Sequence, residues 1–256
     1  MSSTSGDGAE ATARLLWGPP PKPTRGPKPA LSLDRIARAG IGIADAEGLG
    51  AVSMQRVAGL LDYTKMALYR YVPGKAELVA LMVETAIDEP AGAVPGAPAA
   101  NRELAGASPA WRAELHSWAG QLATTFNAHP WLIDATVGPR VLGPKELGWL
   151  ERVVAALDGT GLTGPERTDT AVLLAGHVRS ITAQARAAGP GGEPESRLLA
   201  VVGGLVQEHA DRFPALAAAM AVRDGRDRAL EFGLERILDG LAALIARRKR
   251  ADGLTD

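Results

Sequence analysis

The chain has 256 residues, 46% of them hydrophobic, and a formal net charge of −1 at pH 7. This apolar content is enough to bury a full core in one or two domains, which excludes a wholly disordered chain. The chain has no cysteine, so disulfides, thiolate metal sites and cysteine nucleophiles are excluded, and a reducing compartment is favoured.

The first residues, the apolar segments and the charge distribution narrow the possible class of protein further. The first residues lack the basic and apolar regions of a signal peptide, and no segment reaches 18 uninterrupted apolar residues. We therefore expect a cytoplasmic protein that does not cross a membrane. Residues 14–75 hold ten basic and four acidic side chains, and this excess of positive charge is typical of a part that binds a polyanion.

Residues 1–30 are rich in Ser, Gly and Pro and include the segment WGPPPKPTRGPKP. Proline lacks an amide donor and clashes with a helical path, so we expect a flexible or polyproline-like basic arm. Lys22, Arg25 and Lys28 could reach phosphates or a minor groove, as basic arms of some DNA-binding domains do. A solvated tail with no role in DNA binding explains the same composition equally well.

Two helices are predicted after the arm. Ser32 caps the first, in which apolar residues recur every three or four positions until Glu47-Gly48 ends it. Ser53 caps the second, which runs to about Leu60, and this helix is short.

The next residues complete a helix-turn-helix pattern. Leu61-Asp62-Tyr63 forms a tight turn in which Asp62 can take the left-handed conformation. Thr64 then caps a helix over Lys65–Tyr71, and Pro73-Gly74 ends it. Leu68 faces inward on this helix, which leaves donors, one aromatic ring and small groups on a face suited to a DNA major groove.

The residues LYRYVPGKAEL resemble the Leu-Tyr-x-x-Phe/Val-x-x-Lys-x-x-Leu signature of the tetracycline-repressor (TetR) family of bacterial regulators. The resemblance runs from about Leu31 to Met82. Asp62 stands where the family most often has glycine, a change of small cost because Asp tolerates that backbone region. The resemblance implies a homodimer that binds a near-palindromic operator and generally loses DNA affinity when a small molecule binds the body.

The predicted DNA contacts combine the motif with this resemblance. Exposed positions of the second motif helix are expected to read base edges, while a cap hydroxyl and a post-helix amine grip phosphates. By resemblance, Gln55 also reaches a base edge. The candidate DNA-binding residues are Ser53, Gln55, Thr64, Lys65, Met66, Ala67, Tyr69, Arg70, Tyr71 and Lys75.

Three domains or segments are predicted along the chain. A fourth helix follows Gly74 and runs to about Asp88, and in the family this helix joins the DNA-reading head to the body. Residues 89–100, EPAGAVPGAPAA, are a low-complexity break. The expected division is a flexible basic arm at 1–30, a helix-turn-helix domain with its linking helix at 31–88, and a helical ligand-binding and dimerisation domain at 101–250.

The body is predicted to be entirely helical. Ser108 as N-cap with Pro109 opens a helix that His129-Pro130 ends. A short helix over Trp131–Val137 and another one with Leu147, Leu150, Val154 and Leu157 follow, and Thr163-x-x-Glu166 is a capping box for a long helix to about Ala188. Residues 197–209 are apolar nearly all round, so this helix is expected in the middle of the body.

The last helix, at about 226–248, places Leu230, Leu234, Ile237, Leu241 and Leu244 at the spacing of a helix-pairing seam. We expect it to form a four-helix bundle with the 164–188 helix and the copies of both in a second subunit. Packing within one subunit would produce the same pattern. The basic residues 247–250 that follow suit the negative end of the helix dipole better than a nucleic-acid patch.

A ligand pocket in the body is implied by the resemblance. Aromatic, imidazole and amide groups on apolar helices are typical of such pockets, although core packing also explains the aromatic residues. The candidate ligand-binding residues are Trp111, Trp118, Phe126 and His177.

Signals for catalysis are weak. The four histidines have no metal-ligand spacing, and the chain has no G-x-S-x-G, phosphate loop or dinucleotide fingerprint, so no cofactor or metal is expected. The sequence therefore favours an all-α, ligand-responsive DNA-binding regulator, most readily a repressor. A DNA-binding architectural protein without an effector and an all-helical enzyme are the alternatives.

Overall fold

A computed structural model describes residues 4–18, 31–87, 109–187, 193–221, 229–251 and 253. In these ranges every regular element is helical, which confirms the predicted all-α class. The helices are α1 (Thr4–Trp17), α2 (Leu33–Glu47), α3 (Met54–Leu60), α4 (Lys65–Tyr69), α5 (Lys75–Ala86), α6 (Ala110–Ala128), α7 (Leu132–Ala135), α8 (Pro144–Ala156), α9 (Gly164–Ala187), α10 (Glu193–Glu208), α11 (Pro214–Ala221) and α12 (Ala229–Ala251), with a 3-10 turn at Leu49–Ala51 between α2 and α3.

The head comprises α2 to α5, and its helix starts follow the predicted caps. Each of the hydroxyls of Ser32, Ser53 and Thr64 accepts a hydrogen bond of 3.2 Å from the amide N–H three residues later in the chain. These bonds satisfy amides that have no partner inside a helix, so they fix where α2, α3 and α4 begin. Helix α2 packs against α3 and α5, and the fully buried Ile36 and Leu78 lie in this core.

The N-terminal segment differs from the flexible arm predicted for residues 1–30. Residues 4–17 form α1, which packs against α5. The buried Thr12 and the partly buried Leu15 and Leu16 provide its contact face. The prolines begin at residue 19, after this helix has ended, so the composition of the whole segment concealed a helical first half. The basic residues 22–28 lie outside the described residues.

The linking helix is close to its predicted extent, since α5 ends at Ala86 and Ile87 is its C-cap. Its side chains are buried on the face that meets α2, and Met82 is fully buried there. The break predicted at 89–100 lies outside the described residues, so the division of the chain into domains stays a prediction.

The body is built on α6, α8 and α9, which pack on one another, with α12 against α9 and α6. The Trp118 ring is buried, lies 5.7 Å from the Trp149 ring in an edge-on arrangement, and donates its Nε1 hydrogen to the Trp149 carbonyl at 2.9 Å. The capping box predicted for α9 is present, because Thr163 N–H donates to Glu166 Oε2 at 2.8 Å. Helix α6 starts at Ala110 with Pro109 as N-cap, and Ser108 lies outside the described residues.

Helix α10 is not in the middle of the body, contrary to the prediction. It packs mainly on α11, and Val201, Val202 and Leu205 are 59%, 40% and 50% exposed. An apolar helix surface requires a partner, but the sequence does not say whether the same subunit supplies it. The apolar side chains of Val201, Val202 and Leu205 therefore lie at the surface of a single subunit.

Helix α12 buries its apolar stripe against its own subunit. Leu234, Leu238, Leu241 and Ile245 are at most 8% exposed, at the expected helical spacing of four, three and four. The predicted seam residue Ile237 is only partly buried. Pairing of α12 with a second subunit therefore has to use the neighbouring face of the helix.

Candidate DNA-binding surface and ligand cavity

The turn between α3 and α4 has the predicted geometry. Asp62 has φ 59°, and it is the one non-glycine residue with a positive φ in the described ranges. The amide N–H of Tyr63 donates a hydrogen bond to the Ala58 carbonyl at 3.0 Å, which closes the turn. Leu68 and Val72 are fully buried and anchor α4 from below. The sequence signals for a helix-turn-helix therefore correspond to a helix-turn-helix in the structure.

Nearly all candidate DNA contacts lie on one exposed face around α4. Met66 is 72% exposed, and Tyr69 and Tyr71 are each 37% exposed. Ala67 and Ser53 are partly buried. The other candidates are exposed, namely Gln55 on α3, Thr64, Lys65 and Arg70 around α4, and Lys75 at the start of α5.

Within the ranges that the structure describes, the cations of this face form no ion pairs. Among the described residues, Arg70 and Lys75 contact no carboxylate, and Lys65 Nζ lies 5.5 Å from the centroid of the Tyr69 ring. Elsewhere in the head, by contrast, Arg38 donates to Asp34 at 2.9 Å, and Arg56 donates to Glu47. The charge at α4 is therefore available to an external anion.

The body holds a cavity of about 220 Å³ at the end of α5, between α6, α7, α8 and α9. Two of the predicted ligand-binding residues, Trp118 and Phe126, line it. The complete lining is Ile87, Trp118, Leu122, Thr125, Phe126, Leu132, Thr136, Arg140, Leu142, Glu146, Trp149, Leu150, Val172, Ala175 and Arg179. The aromatic and aliphatic groups with a few polar ones are the composition of a small-molecule site.

The other two predicted ligand-binding residues, Trp111 and His177, do not line this cavity. Trp111 is partly buried against the core. His177 lies between α9 and α12, where its Nε2 is 2.9 Å from the Leu230 carbonyl oxygen. A Cβ on Gly233 would clash with the His177 ring, so this contact needs glycine at that point of α12. The position of His177 therefore serves helix packing.

Sequence reasoning missed the charged lining of the cavity. Arg140 and Glu146 form a two-pronged ion pair in which Arg140 Nη1 donates to Glu146 Oε2 at 2.6 Å. Arg179 extends from α9. Arg140 lies in a loop six positions before Glu146, and Arg179 lies more than 30 positions further along the chain. Only Arg179 carried a signal, as a charge beside the apolar face of α9.

Sequence reasoning also missed the contacts between head and body. Asp45 on α2 accepts the Nε1 hydrogen of Trp131 at 2.7 Å, and His129 Nδ1 lies 3.0 Å from the same carboxylate. On α5, Glu84 Oε1 accepts the amide N–H of Lys145, at the start of α8, at 2.9 Å. Burial raises the pKa of the Glu84 carboxyl group. Both contacts connect residues more than 60 positions apart, so local patterns do not reveal them.

One group of side chains on α6 and α12 has the donor atoms of a metal site. His116 Nε2 lies 3.0 Å from Glu231 Oε1, and Glu235 is next to it. Arg112 also binds Glu235, and its Nη2 donates to Asp239 at 2.8 Å. Arg112 already binds two of these carboxylates, Glu235 and Asp239, so the group is explained as an ion-pair network that holds α12 on α6.

No helix in the described part of the chain is both long and apolar enough to cross a membrane.

Comparisons with known proteins identify the family. Residues 105–245 match the tetracyclin repressor-like C-terminal domain. The chain is 36% identical to the HTH-type transcriptional repressor DrrR1 of Streptomyces coeruleorubidus, with 97% of this chain and 91% of that protein covered. Among solved structures, ActR of Streptomyces coelicolor in complex with actinorhodin is 28% identical with a TM-score of 0.69, covering 85% of this chain and 97% of that one. Apo ActR is 27% identical with a TM-score of 0.66, covering 86% and 99%. The chain therefore belongs to the TetR family of transcriptional regulators.

Proposed function

We propose that this TetR-family chain is a homodimeric transcriptional repressor that binds operator DNA with α3 and α4 and leaves it when a small apolar or amphipathic molecule enters the body cavity. One observation carries the proposal. Helix α5 follows the recognition helix α4 directly, and its C-cap residue Ile87 lines the cavity. A single helix thus connects the DNA-reading surface with the ligand site.

On DNA, base reading and phosphate binding are divided between residue types. The exposed face of α4, with Lys65, Tyr69 and Arg70, contacts base edges in the major groove, and Gln55 contributes from α3. The Ser53 hydroxyl and the Lys75 amine bind phosphates on either side of the groove. The remaining candidates, Thr64, Met66, Ala67 and Tyr71, border this face.

The dimer forms through the exposed faces of α9 and α12. Val172 and Leu173 on α9 are 69% and 55% exposed, and Phe232 on α12 is 64% exposed. Gly176 and Gly240 lie on the same helices and leave open space that lets a second backbone approach. Two heads related by a two-fold axis then read half-sites roughly 34–36 Å apart or a multiple of that distance.

Release from DNA requires that the ligand favours one state of the head over another. The cavity residues Phe126 and Leu132 flank the segment that carries His129 and Trp131. The side chains of His129 and Trp131 in turn contact the Asp45 carboxylate of the head. A ligand that moves this wall changes the angle between head and body. Since both heads must fit the operator at once, a small tilt lowers the affinity of the dimer.

Neither alternative accounts for the cavity and the comparisons together. An architectural protein has no need for a lined cavity beside the linking helix. The relatives are regulators rather than enzymes. A regulator of this kind acts on the chromosome, in the cytoplasm of the cell.

Footprinting of the purified chain on genomic DNA tests the proposal, since it finds the bound sites whatever their sequence. We expect a few protected near-palindromes, and an Arg70→Ala variant should lose that selectivity. A gel shift with the recovered site then measures release by compounds that raise the melting temperature of the protein. Binding without sequence preference would support the architectural alternative, and compounds that bind the body without affecting the complex would refute induction.

A further inference from the structure

The wall of the cavity contains a guanidinium, that of Arg179, for which the described part of the chain provides no counter-charge. Arg179 lines the cavity, and its Nε is shielded from solvent with no hydrogen-bond acceptor. In the ranges that the structure describes, no carboxylate pairs with this side chain. A partly buried charge that lacks a partner costs free energy, and an anion bound beside it would offset that cost.

The other two charges of the cavity cannot supply that anion. Both oxygens of Glu146 accept hydrogen bonds from Arg140, so this carboxylate is already committed. Burial lowers the pKa of the Arg179 guanidinium, and the positive charge of Arg140 lowers it further by a smaller amount. With Arg140 and Glu146 neutralising each other, the lining keeps one positive charge.

The surroundings of Arg179 define the rest of the ligand. The rings of Trp118, Phe126 and Trp149 and several aliphatic side chains form most of the wall. A volume of about 220 Å³ is below the roughly 300–1,000 Å³ of sites for drug-sized ligands. A compound of one or two rings fits the cavity as it stands, whereas a larger one has to displace a wall.

We propose that the cavity selects aromatic molecules of one or two rings that carry one anionic oxygen group, a carboxylate or an ionised phenol, and that Arg179 binds this group. The rings then stack among Trp118, Phe126 and Trp149. As a statement about the effector, this inference rests on the proposed function, while the charge preference of the cavity can be measured without it. Arg179 is thus a specificity-determining residue.

Two probes of equal shape test the preference, 2-naphthoate and its neutral analogue 2-naphthamide. Their affinities for the full chain are measured by titration calorimetry and by quenching of the cavity tryptophans. A charge-assisted bond predicts that naphthoate binds the wild type on the order of 10- to 100-fold more tightly. Arg179→Gln should abolish this difference while leaving the naphthamide affinity unchanged, and Arg179→Lys should keep part of it.

Arg186→Gln is the matched control, because it removes a positive charge from the same helix outside the cavity and should leave both affinities unchanged. Melting curves verify that each variant is folded. Equal affinity of the wild type for the two probes, a preference that survives Arg179→Gln, or no binding of either probe would overturn the inference.

Operator binding separates this inference from the proposed function. If naphthoate is preferred through Arg179 but operator affinity stays constant when it is bound, the ligand class stands and induction fails. If compounds release the operator but show no dependence on charge or on Arg179, induction stands and the inference fails.

Discussion

The candidate DNA-binding surface of the head and the interior of the body use arginine and lysine in different ways. In the head, Arg70 and Lys75 are exposed and contact no carboxylate among the described residues. In the body, Arg112 and Arg152 each bind a carboxylate on another helix. Arg179 lies in a cavity wall. Arg152 is only 4% exposed, with Glu114 and Gln121 as its partners.

This difference shows how one residue type serves two purposes. Exposed cations add small attractions to a polyanion, and salt weakens each of them. Enclosed cations are screened much less, and they fix the geometry of neighbouring helices or of a ligand. We therefore expect substitutions in the head to change DNA affinity and its salt dependence, and substitutions in the body to change assembly, ligand choice and pH dependence.

The largest effect on operator affinity is expected from disruption of the dimer, because the body holds the two heads together. Leu173→Asp combined with Phe232→Asp places charge on the exposed apolar faces of α9 and α12, outside the cavity lining, so the dimer should dissociate. Loss of the linked second head should then lower operator affinity by roughly 10²- to 10⁴-fold. Sedimentation and gel shifts measure the two effects.

These two positions are exposed in the single subunit, so the monomer should stay folded. Leu173→Met keeps an apolar side chain of similar volume without adding a charge and serves as the control, with a wild-type dimer expected. A double variant that still sediments as a dimer would place the interface elsewhere, for example on the exposed valines of α10.

The next effect concerns an unpaired cation of the head. Arg70→Ala should cost about 1–3 kcal/mol of operator binding and relax the preference at one position of each half-site. Competition binding with a set of single-base operator variants measures both quantities. Arg38→Ala is the matched control, because Arg38 is an exposed arginine of the same domain that already pairs with Asp34. Similar losses for the two variants would mean that α4 does not read bases.

A smaller effect distinguishes phosphate binding from base reading. Lys75→Ala should weaken all DNA sequences alike and lower the slope of log affinity against log salt by roughly one unit. Binding at four or five salt concentrations measures the slope for wild type and variant. An unchanged slope would remove Lys75 from the phosphate contacts.

The smallest effect concerns an ion pair of the body. Hydrogen bonds from Arg248, and secondly from the Thr163 amide, lower the pKa of Glu166 to about 2. Because the folded pKa lies below the unfolded value, this stabilisation is present above pH 4.5 and is lost as the pH falls toward 2. Glu166→Gln should flatten the decline of stability across that window. Unfolding curves measured at several pH values would contradict this if the two proteins lose stability in parallel.

The sequence specifies the head well because the signals there are local. Ser53 and Thr64 act on amides three residues away, and Asp62 tolerates a positive φ by its own chemistry. Caps, turn and the buried Leu68 therefore follow from neighbouring residues alone. This part of the candidate site could be predicted to within one or two residues at each helix end.

The body is specified less well because its features depend on distant partners. Trp118 and Phe126 were ligand-binding candidates because they are aromatic groups on an apolar helix and the family resemblance implies a pocket in the body. The Asp45–Trp131 contact, by contrast, joins residues 86 positions apart. The two failures of the fold prediction have the same origin. Helix α1 is stabilised by α5, and α10, whose composition led us to expect it in the middle of the body, packs mainly on α11. Hydrophobic periodicity reveals that a face needs a partner, and only the assembled chain shows which one.

The central claim is that cavity and DNA surface are coupled through the end of α5, and thermodynamic reciprocity gives its most direct test. The affinity of a cavity ligand, found by thermal shift and located by its dependence on Trp118, is measured with and without saturating operator. A coupling of about 1–3 kcal/mol predicts that operator DNA weakens ligand binding by roughly 5- to 150-fold, the same factor by which the ligand weakens operator binding. Ligand affinity that is identical for the free protein and for the DNA complex would contradict the account.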